Sequence, residues 1–155
     1  MHINNPSATR IGIGKLNGYR LDFLRYSQRW RGCTASIVPQ DGYGVWGALW
    51  EVNLKDLPNL DKQEGVHQQI YHRFLTRVEM PDGTLIECYT YEQVNKPTSS
   101  HKLSELPENR QPSRLYKETI VNGAEESKLP EEYQTLLQQI ACNDFNEIVD
   151  LTVPE

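Results

Sequence analysis

Alternating apolar and polar residues predict that the first part of the chain is extended. Within residues 16–23, the apolar Tyr19, Leu21 and Phe23 alternate with charged residues, which is the period of a half-buried strand. A preceding extended segment is predicted at 9–13, and the glycine-containing pairs between and within the two segments predict breaks. The chain therefore opens with two short strands.

Turn residues between apolar runs predict two hairpins further along the chain. Each run is bounded by a cluster of proline, aspartate and glycine, which favours a reversal of chain direction. The predicted strands and turns are, in order, 33–38 with 45–52 around Pro39-Gln-Asp-Gly42, and 70–79 with 84–91 around Met80-Pro-Asp-Gly83.

A short helix is predicted between the two hairpins, over residues 53–64. Asn53 is its predicted N-cap, and leucines recur at every third position. Pro58 removes a hydrogen bond inside this segment, so a break or a 3₁₀ turn is expected there. Gly65 suits the left-handed backbone conformation that ends helices, which places the helix end at Glu64.

Two further helices are predicted in the C-terminal third. The first covers 113–126 with Ser113 as its N-cap, and the second begins with Pro130 at its first position and runs through Cys142. Residues 95–112 are rich in proline and serine and predict a long loop, either a lid or a flexible excursion. Residues 143–155 form an acidic tail.

Composition is that of an ordinary globular protein. The 155 residues are long enough for one domain, and the net charge of −5, without a basic stripe, argues against nucleic acid or an anionic membrane as the main partner. No segment approaches the roughly 20 apolar residues of a membrane helix. Cys33, Cys88 and Cys142 are odd in number and widely spaced, which predicts reduced thiols and a cytoplasmic location.

Two local patterns do not support cofactor sites. Gly12, Gly14 and Gly18 lack the strand-to-helix context that a dinucleotide-binding loop requires. His67 and His72 would face opposite sides of a strand or loop, so a zinc pair is not predicted.

The motif with the most functional content is Leu60-Asp-Lys-Gln-Glu-Gly-Val66, in which a carboxylate precedes a glycine. It follows the strand at 43–52, which carries two tryptophans with small residues between them. Together they resemble the core of the gamma-glutamylcyclotransferase family. Other segments match in family order: Asn5-Pro-Ser-Ala8, Leu21-Asp-Phe23, Trp30-Arg-Gly32, Val45-Trp-Gly47 and Leu129-Pro-Glu-Glu-Tyr133.

This resemblance implies a single cyclotransferase-like α/β (α+β) domain over 1–155, with a mixed, barrel-like sheet and peripheral helices. It implies a lyase of glutathione metabolism that converts gamma-glutamyl amino acids to 5-oxoproline and a free amino acid. No metal or organic cofactor is implied. The expected partners are the small-molecule substrate and a second copy of the chain, as a possible homodimer.

The resemblance also nominates site residues. Glu64 is the expected catalytic acid/base, and its place in the last helical turn, near the negative end of the helix dipole, favours the protonated form of a carboxyl group. Tyr116 matches the substrate-contacting tyrosine of the family, and Tyr71 is a second candidate for the substrate-binding wall. For each tyrosine, a place in an amphipathic core is an equally good interpretation.

One expected family feature does not precede Asn4-Asn5-Pro6. Family members open with a strand and a Tyr-Gly-Ser-Asn-type loop that holds the glutamyl substrate, whereas this sequence starts at Met1-His2. The resemblance is therefore to a member that lacks this segment, or to a product whose true start lies upstream of Met1. The alternative function is a catalytically impaired family member that acts as a binding or interaction protein.

Overall fold

A computed structural model describes residues 5–147, which divide into two compact units. The first unit contains residues 5–20 and 37–95, and the second contains residues 21–36 and 96–147. That all 155 residues form one domain stays a prediction. The predictions for Met1-His2 and for the end of the acidic tail, 148–155, lie outside the described residues.

The described residues contain a four-stranded sheet with the order β2-β1-β3-β4. β1 pairs with β3, and β3 with β4, in the antiparallel direction. The α+β class agrees with the prediction, but this part of the chain forms an open sheet with β2 and β4 at its edges, rather than a mixed, barrel-like one. The strands are β1 (Thr9–Ser27), β2 (Gly32–Glu51), β3 (Tyr71–Glu79) and β4 (Leu85–Gln93).

The predicted breaks in the first two strands are wrong. β1 continues through Gly18, and β2 continues through Pro39 and Gly42, so the hairpin predicted around that turn is one continuous strand. Gly18 and Gly42 have φ values of +78° and +81°, which glycine adopts inside a strand without ending it. Pro39 is tolerated because β2 lies at a sheet edge, where a missing N–H donor costs little.

The second predicted hairpin is confirmed. The Met80 N–H donates to the Thr84 carbonyl at 2.9 Å, and the Gly83 N–H donates to the Met80 carbonyl at 2.9 Å. Gly83 adopts φ +85°, and an Asp82 carboxylate oxygen accepts a hydrogen bond from the Thr84 N–H. This turn sets the register of the hairpin, in which Tyr71 lies opposite Gln93.

Three α-helices follow the prediction in order but not at every boundary. A 3₁₀ turn at Leu54–Asp56 precedes the first helix, so the break expected at Pro58 occurs just before it and Pro58 lies in the first turn of α1. Asn53 makes no side-chain capping hydrogen bond. Ser113 caps the second helix as predicted, through a 3.2 Å hydrogen bond from the Tyr116 N–H. The third ends at Gln138 instead of Cys142, with Pro130 at its N-cap. The helices are α1 (Leu57–Gln63), α2 (Arg114–Glu126) and α3 (Glu131–Gln138).

Residues 95–112 contain local structure, whereas a plain loop was predicted. Two 3₁₀ turns occur, at Leu103–Glu105 and Glu108–Arg110. Leu106 is 3% exposed, and the Gln111 carbonyl accepts a hydrogen bond from the Cys33 N–H at 2.9 Å. The end of this segment is therefore held to other residues of its own unit.

Each unit has its own buried apolar residues. In the first unit they come from the strands, from α1 and from the segment before β1, and in the second they come from β1, β2, the last two helices and the segments next to those helices. Those of the first unit are Ala8, Leu16, Val38, Leu60, Tyr71 and Val78; those of the second are Phe23, Cys33, Leu106, Ala124, Leu129, Leu137 and Ile140.

Candidate functional site

Glu64 lies at the C-cap of α1, as predicted. Its N–H donates to the Leu60 carbonyl at 2.9 Å, so the helical hydrogen-bond pattern still includes this residue. The next N–H, that of Gly65, donates to the Lys62 carbonyl at 3.2 Å and ends the helix. Glu64 is half-buried.

The turn after Glu64 requires a glycine. Gly65 has φ +65° and ψ +33°, the left-handed conformation that is costly for residues with a Cβ atom. A Cβ atom at this position would lie 2.9 Å from Cδ1 of Ile70, whose N–H donates to the Gly65 carbonyl at 3.2 Å. Gly65 therefore sets the path by which the chain leaves the Glu64 carboxylate.

The start of α1 is held by the N-terminal segment of the same unit. The Ser7 hydroxyl donates to the carboxylate of Asp56, which is buried, and accepts a hydrogen bond from the Asn53 N–H at 3.1 Å. Leu60, in the middle of the helix, is 8% exposed. These contacts hold the start of α1, about two helical turns before the candidate carboxylate.

The second half of α1 is held by the β3–β4 hairpin. Arg73 Nη1 lies 2.9 Å from Oδ2 and 3.1 Å from Oδ1 of Asp61. The Tyr91 hydroxyl donates to Asp61 Oδ1 at 2.9 Å. Arg73 and Tyr91 are register partners across the hairpin, so both groups approach Asp61 from the same sheet face.

Tyr71 is brought to this same face. It lies two residues before Arg73 on β3, and alternate residues of a strand share a face. Tyr71 is 9% exposed, and its hydroxyl accepts a 3.0 Å hydrogen bond from Nε2 of Gln93, its register partner. The first unit therefore combines the predicted Tyr71 with the sheet face that contacts the helix ending at Glu64.

Tyr116 lies in the second unit, in the first turn of α2. Its hydroxyl accepts a 3.3 Å hydrogen bond from the Ala35 N–H. Its ring packs at 4.8 Å from the Trp30 ring and edge-on at 6.5 Å from the Phe23 ring. These contacts give Tyr116 a packing role within its own unit, which was the second interpretation of this residue from sequence.

The electrostatic surroundings of Asp61 favour a protonated phenol beside it. Burial first, and the hydrogen bond to Asp61 second, raise the pKa of Tyr91 well above its ordinary value of 10.0. The Arg73 guanidinium also lies 4.8 Å from the centre of the Tyr89 ring. Tyr91 therefore remains a hydrogen-bond donor to Asp61 throughout the neutral pH range.

Sequence reasoning missed Asp61, Arg73, Tyr91 and Gln93. The spacing of Asp61 and Glu64 was a usable signal, since residues three apart lie on the same side of a helix. The hairpin turn was another, because counting outward from Met80 and Thr84 places Arg73 opposite Tyr91. Neither pattern indicates that α1 packs on this sheet face.

The described residues contain neither a metal-binding cluster nor a membrane-spanning helix. Among residues 5–147, no three His, Cys, Asp or Glu side chains are grouped so that they could hold a metal ion. In the same range, no helix is both long enough and apolar enough to cross a membrane.

Similarity to known proteins identifies the broad class to which this chain belongs. Residues 44–137 match the family model of the AIG2-like family, a range that includes Glu64, Tyr71 and Tyr116. The fold is also that of YkqA from Bacillus subtilis, a solved structure 22% identical in sequence, with a TM-score of 0.63 over 86% of this chain and 46% of that one.

More similar relatives define the family within that class. The gamma-glutamylcyclotransferases of Bos taurus and Homo sapiens are each 36% identical over 149 residues, which cover 94% of this chain and 73% of theirs. A solved gamma-glutamyl cyclotransferase superposes with a TM-score of 0.85 at 34% identity, over 97% of this chain and 85% of that one. The chain belongs to the gamma-glutamylcyclotransferase family, which confirms the resemblance seen in its motifs.

Proposed function

We propose that this protein is a gamma-glutamylcyclotransferase, a lyase that converts gamma-glutamyl amino acids to 5-oxoproline and the free amino acid. The supporting observation is the position of Glu64: a half-buried carboxylate at a glycine-terminated helix end. It occurs in a chain that is 36% identical to mammalian enzymes of that name.

The reaction is an internal aminolysis. The free α-amine of the glutamyl group attacks the carbonyl carbon of its own side-chain amide, forming a new C–N bond and a five-membered lactam. The original amide C–N bond breaks, and the attached amino acid leaves as an amine. Because nucleophile and electrophile belong to one molecule, a site that holds the glutamyl group folded supplies much of the rate enhancement by proximity.

Glu64 is the proposed proton carrier. The attacking amine must lose a proton as the C–N bond forms, and the leaving amine must gain one as the other C–N bond breaks. One carboxylate can accept the first proton and donate the second, so it is unchanged at the end of the cycle. The overall reaction needs no oxidant, reductant or other co-reactant.

Tyr71 and Tyr116 are the proposed substrate-binding residues. Tyr71 supports this role by its place on the sheet face that contacts α1, where its ring can form a wall of the site. A phenol hydroxyl can both donate and accept a hydrogen bond, so the bond that Tyr116 accepts from Ala35 is compatible with a contact to substrate.

We also propose a cytoplasmic homodimer. All three cysteines are free thiols, as expected in a reducing compartment. On the β3–β4 hairpin, the register partners Leu75 and Tyr89 are 52% and 49% exposed, and Leu85 at the hairpin end is 64% exposed. An exposed apolar patch of this kind suits a protein interface.

Product analysis tests the proposed function. The purified chain is incubated with gamma-glutamyl-alanine, and 5-oxoproline, glutamate and alanine are quantified by chromatography. Equal amounts of 5-oxoproline and alanine are the expected result. Glutamate with alanine would identify a hydrolase, and a folded protein that releases neither product would favour the catalytically impaired binding protein.

A further inference from the structure

One carboxylate is held by a complete cross-strand pair. Asp61 of α1 receives contacts from Arg73 on β3 and from Tyr91 on β4, which lie directly opposite each other in the hairpin register. We call these three residues the Asp61 clamp. It joins the last half of α1 to the two strands at once, since neither strand alone supplies both donors.

The clamp lies one helical turn from the candidate catalytic carboxylate. Asp61 and Glu64 are three residues apart, and the hydrogen bond from the Glu64 N–H to the Leu60 carbonyl shows that helical geometry extends this far. Side chains at this spacing are neighbours on one side of a helix. A displacement of Asp61 therefore also displaces Glu64.

α1 cannot hold this geometry by itself. It has seven residues and carries Pro58 in its first turn, whereas isolated helices shorter than roughly 12 residues are marginal in water. Its path must come from contacts with other elements. Ser7 fixes its start, and the clamp supplies the polar contacts of its last turn to the hairpin.

We propose that Asp61, Arg73 and Tyr91 are positioning residues that hold Glu64 in its reactive place over the β3–β4 hairpin. The catalytic consequence rests on the proposed function, whereas the structural consequence does not. A catalytic group displaced by about 1 Å can lose on the order of 10²-fold in rate. Loss of the clamp should therefore lower kcat more than it weakens substrate binding.

The contacts of Arg73 indicate which substitutions remove its hydrogen bonds to Asp61 and which one can replace them. Both short distances to the Asp61 carboxylate come from a single Arg73 nitrogen, Nη1, so the ammonium of a lysine can replace it. Arg73→Met removes the donor and keeps the aliphatic stem. Arg77→Met is the matched control, because Arg77 lies four residues further along β3 on the same face, is exposed, and lies 4.0 Å from Glu87.

Steady-state kinetics with gamma-glutamyl-alanine test the catalytic consequence. We expect Arg73→Met and Asp61→Asn each to lower kcat by about 10-fold to 100-fold with KM changed by less than about 3-fold. The double variant should be no worse than either single variant, because both remove the same interaction. Arg73→Lys should recover most of the lost kcat, and Arg77→Met should match the wild type.

Hydrogen exchange tests the structural consequence without any need for activity. The Glu64 and Gly65 amide protons, which bond to Leu60 and Lys62, should exchange about 3-fold to 5-fold faster in Arg73→Met than in the wild type. Wild-type kcat and wild-type exchange in a folded Arg73→Met would overturn the proposal. If Arg73→Met exchanges faster but the wild type releases no 5-oxoproline, the structural role of the clamp is supported and the proposed enzymatic activity is rejected.

Discussion

Two arginine–aspartate pairs, one in each unit, share the same chemistry but differ in burial. In the second unit, Arg110 and Asp22 have side chains only 13% and 1% exposed, and Arg110 Nε also donates to the Phe23 carbonyl. In the first unit, Arg73 and Asp61 have side chains 28% and 30% exposed. The Arg110–Asp22 pair is therefore enclosed by protein, whereas the Arg73–Asp61 pair is partly exposed to water.

This difference in burial predicts that one pair contributes mainly to the stability of the fold and the other mainly to the position of Glu64. A buried charge that loses its partner is costly because the protein interior cannot solvate it, whereas a partly exposed charge is stabilised by water when its partner is removed. The Arg110–Asp22 pair should therefore matter chiefly for folding. The Arg73–Asp61 pair should matter chiefly for where the last turn of α1, and so Glu64, lies.

The largest expected effect is on the buried pair. Arg110→Met leaves the Asp22 carboxylate in the interior without its arginine and should cost about 3 to 5 kcal/mol of unfolding free energy. Arg73→Met should cost no more than about 1 kcal/mol. Urea denaturation of the two variants measures both losses, and equal losses would remove the distinction between the pairs.

A glycine substitution sharpens the comparison within the first unit. Gly65→Ala places a Cβ atom at φ +65° and 2.9 Å from Ile70 Cδ1, and should cost about 1 to 2 kcal/mol while lowering kcat through displacement of Glu64. Gly83→Ala is the matched control, since Gly83 also has positive φ but has open space around its Cβ position. It should lose stability and keep kcat; equal kcat losses in both variants would contradict this.

In the second unit, removing the Tyr116 hydroxyl separates the role of its hydrogen bond from the packing role of its ring. Tyr116→Phe keeps the ring between Trp30 and Phe23 but loses the hydrogen bond from Ala35, which should cost about 0.5 to 1.5 kcal/mol. If the hydroxyl also contacts substrate, as proposed, KM should rise at least about 3-fold, the equivalent of a modest hydrogen bond. A loss of stability with unchanged KM would leave Tyr116 a purely structural residue.

The smallest expected effect is an alkaline one at Tyr91. Burial and the hydrogen bond to Asp61 raise the pKa of the Tyr91 phenol above 10.0, so its contribution to stability is fully present below about pH 10 and is lost as pH rises further. Urea denaturation between pH 8 and pH 11 should show a steeper alkaline loss for the wild type than for Tyr91→Phe. Tyr89→Phe, which changes an exposed neighbour, should follow the wild type.

Local signals in the sequence predicted the elements around the site well. The Met80-Pro-Asp-Gly83 turn, the Ser113 cap and the left-handed Gly65 each depend on the backbone preferences of one or two residues. Such preferences act within a few residues and can be read from sequence. The position of Glu64 at a helix end followed from Gly65 alone.

Sheet pairing and side-chain partners were not predictable in the same way. Gly42 and Pro39 favour a turn locally, but pairing at a sheet edge keeps β2 extended through both. In the Asp61 clamp, Asp61 contacts Arg73, which is 12 positions away in sequence, and Tyr91, which is 30 positions away. Only the packing of α1 on the hairpin brings these residues together. Long-range packing of this kind leaves no local pattern.

The most direct test of the central claim is turnover of gamma-glutamyl-alanine by Glu64→Gln, beside the wild type and Glu51→Gln, which neutralises an exposed glutamate of the same unit. Loss of the proton carrier should lower kcat for 5-oxoproline release by at least about 100-fold. The substrate dissociation constant, measured by calorimetry, and the urea midpoint should stay near wild-type values, and Glu51→Gln should be fully active. Wild-type kcat in a folded Glu64→Gln would contradict the assignment of Glu64 as the catalytic residue.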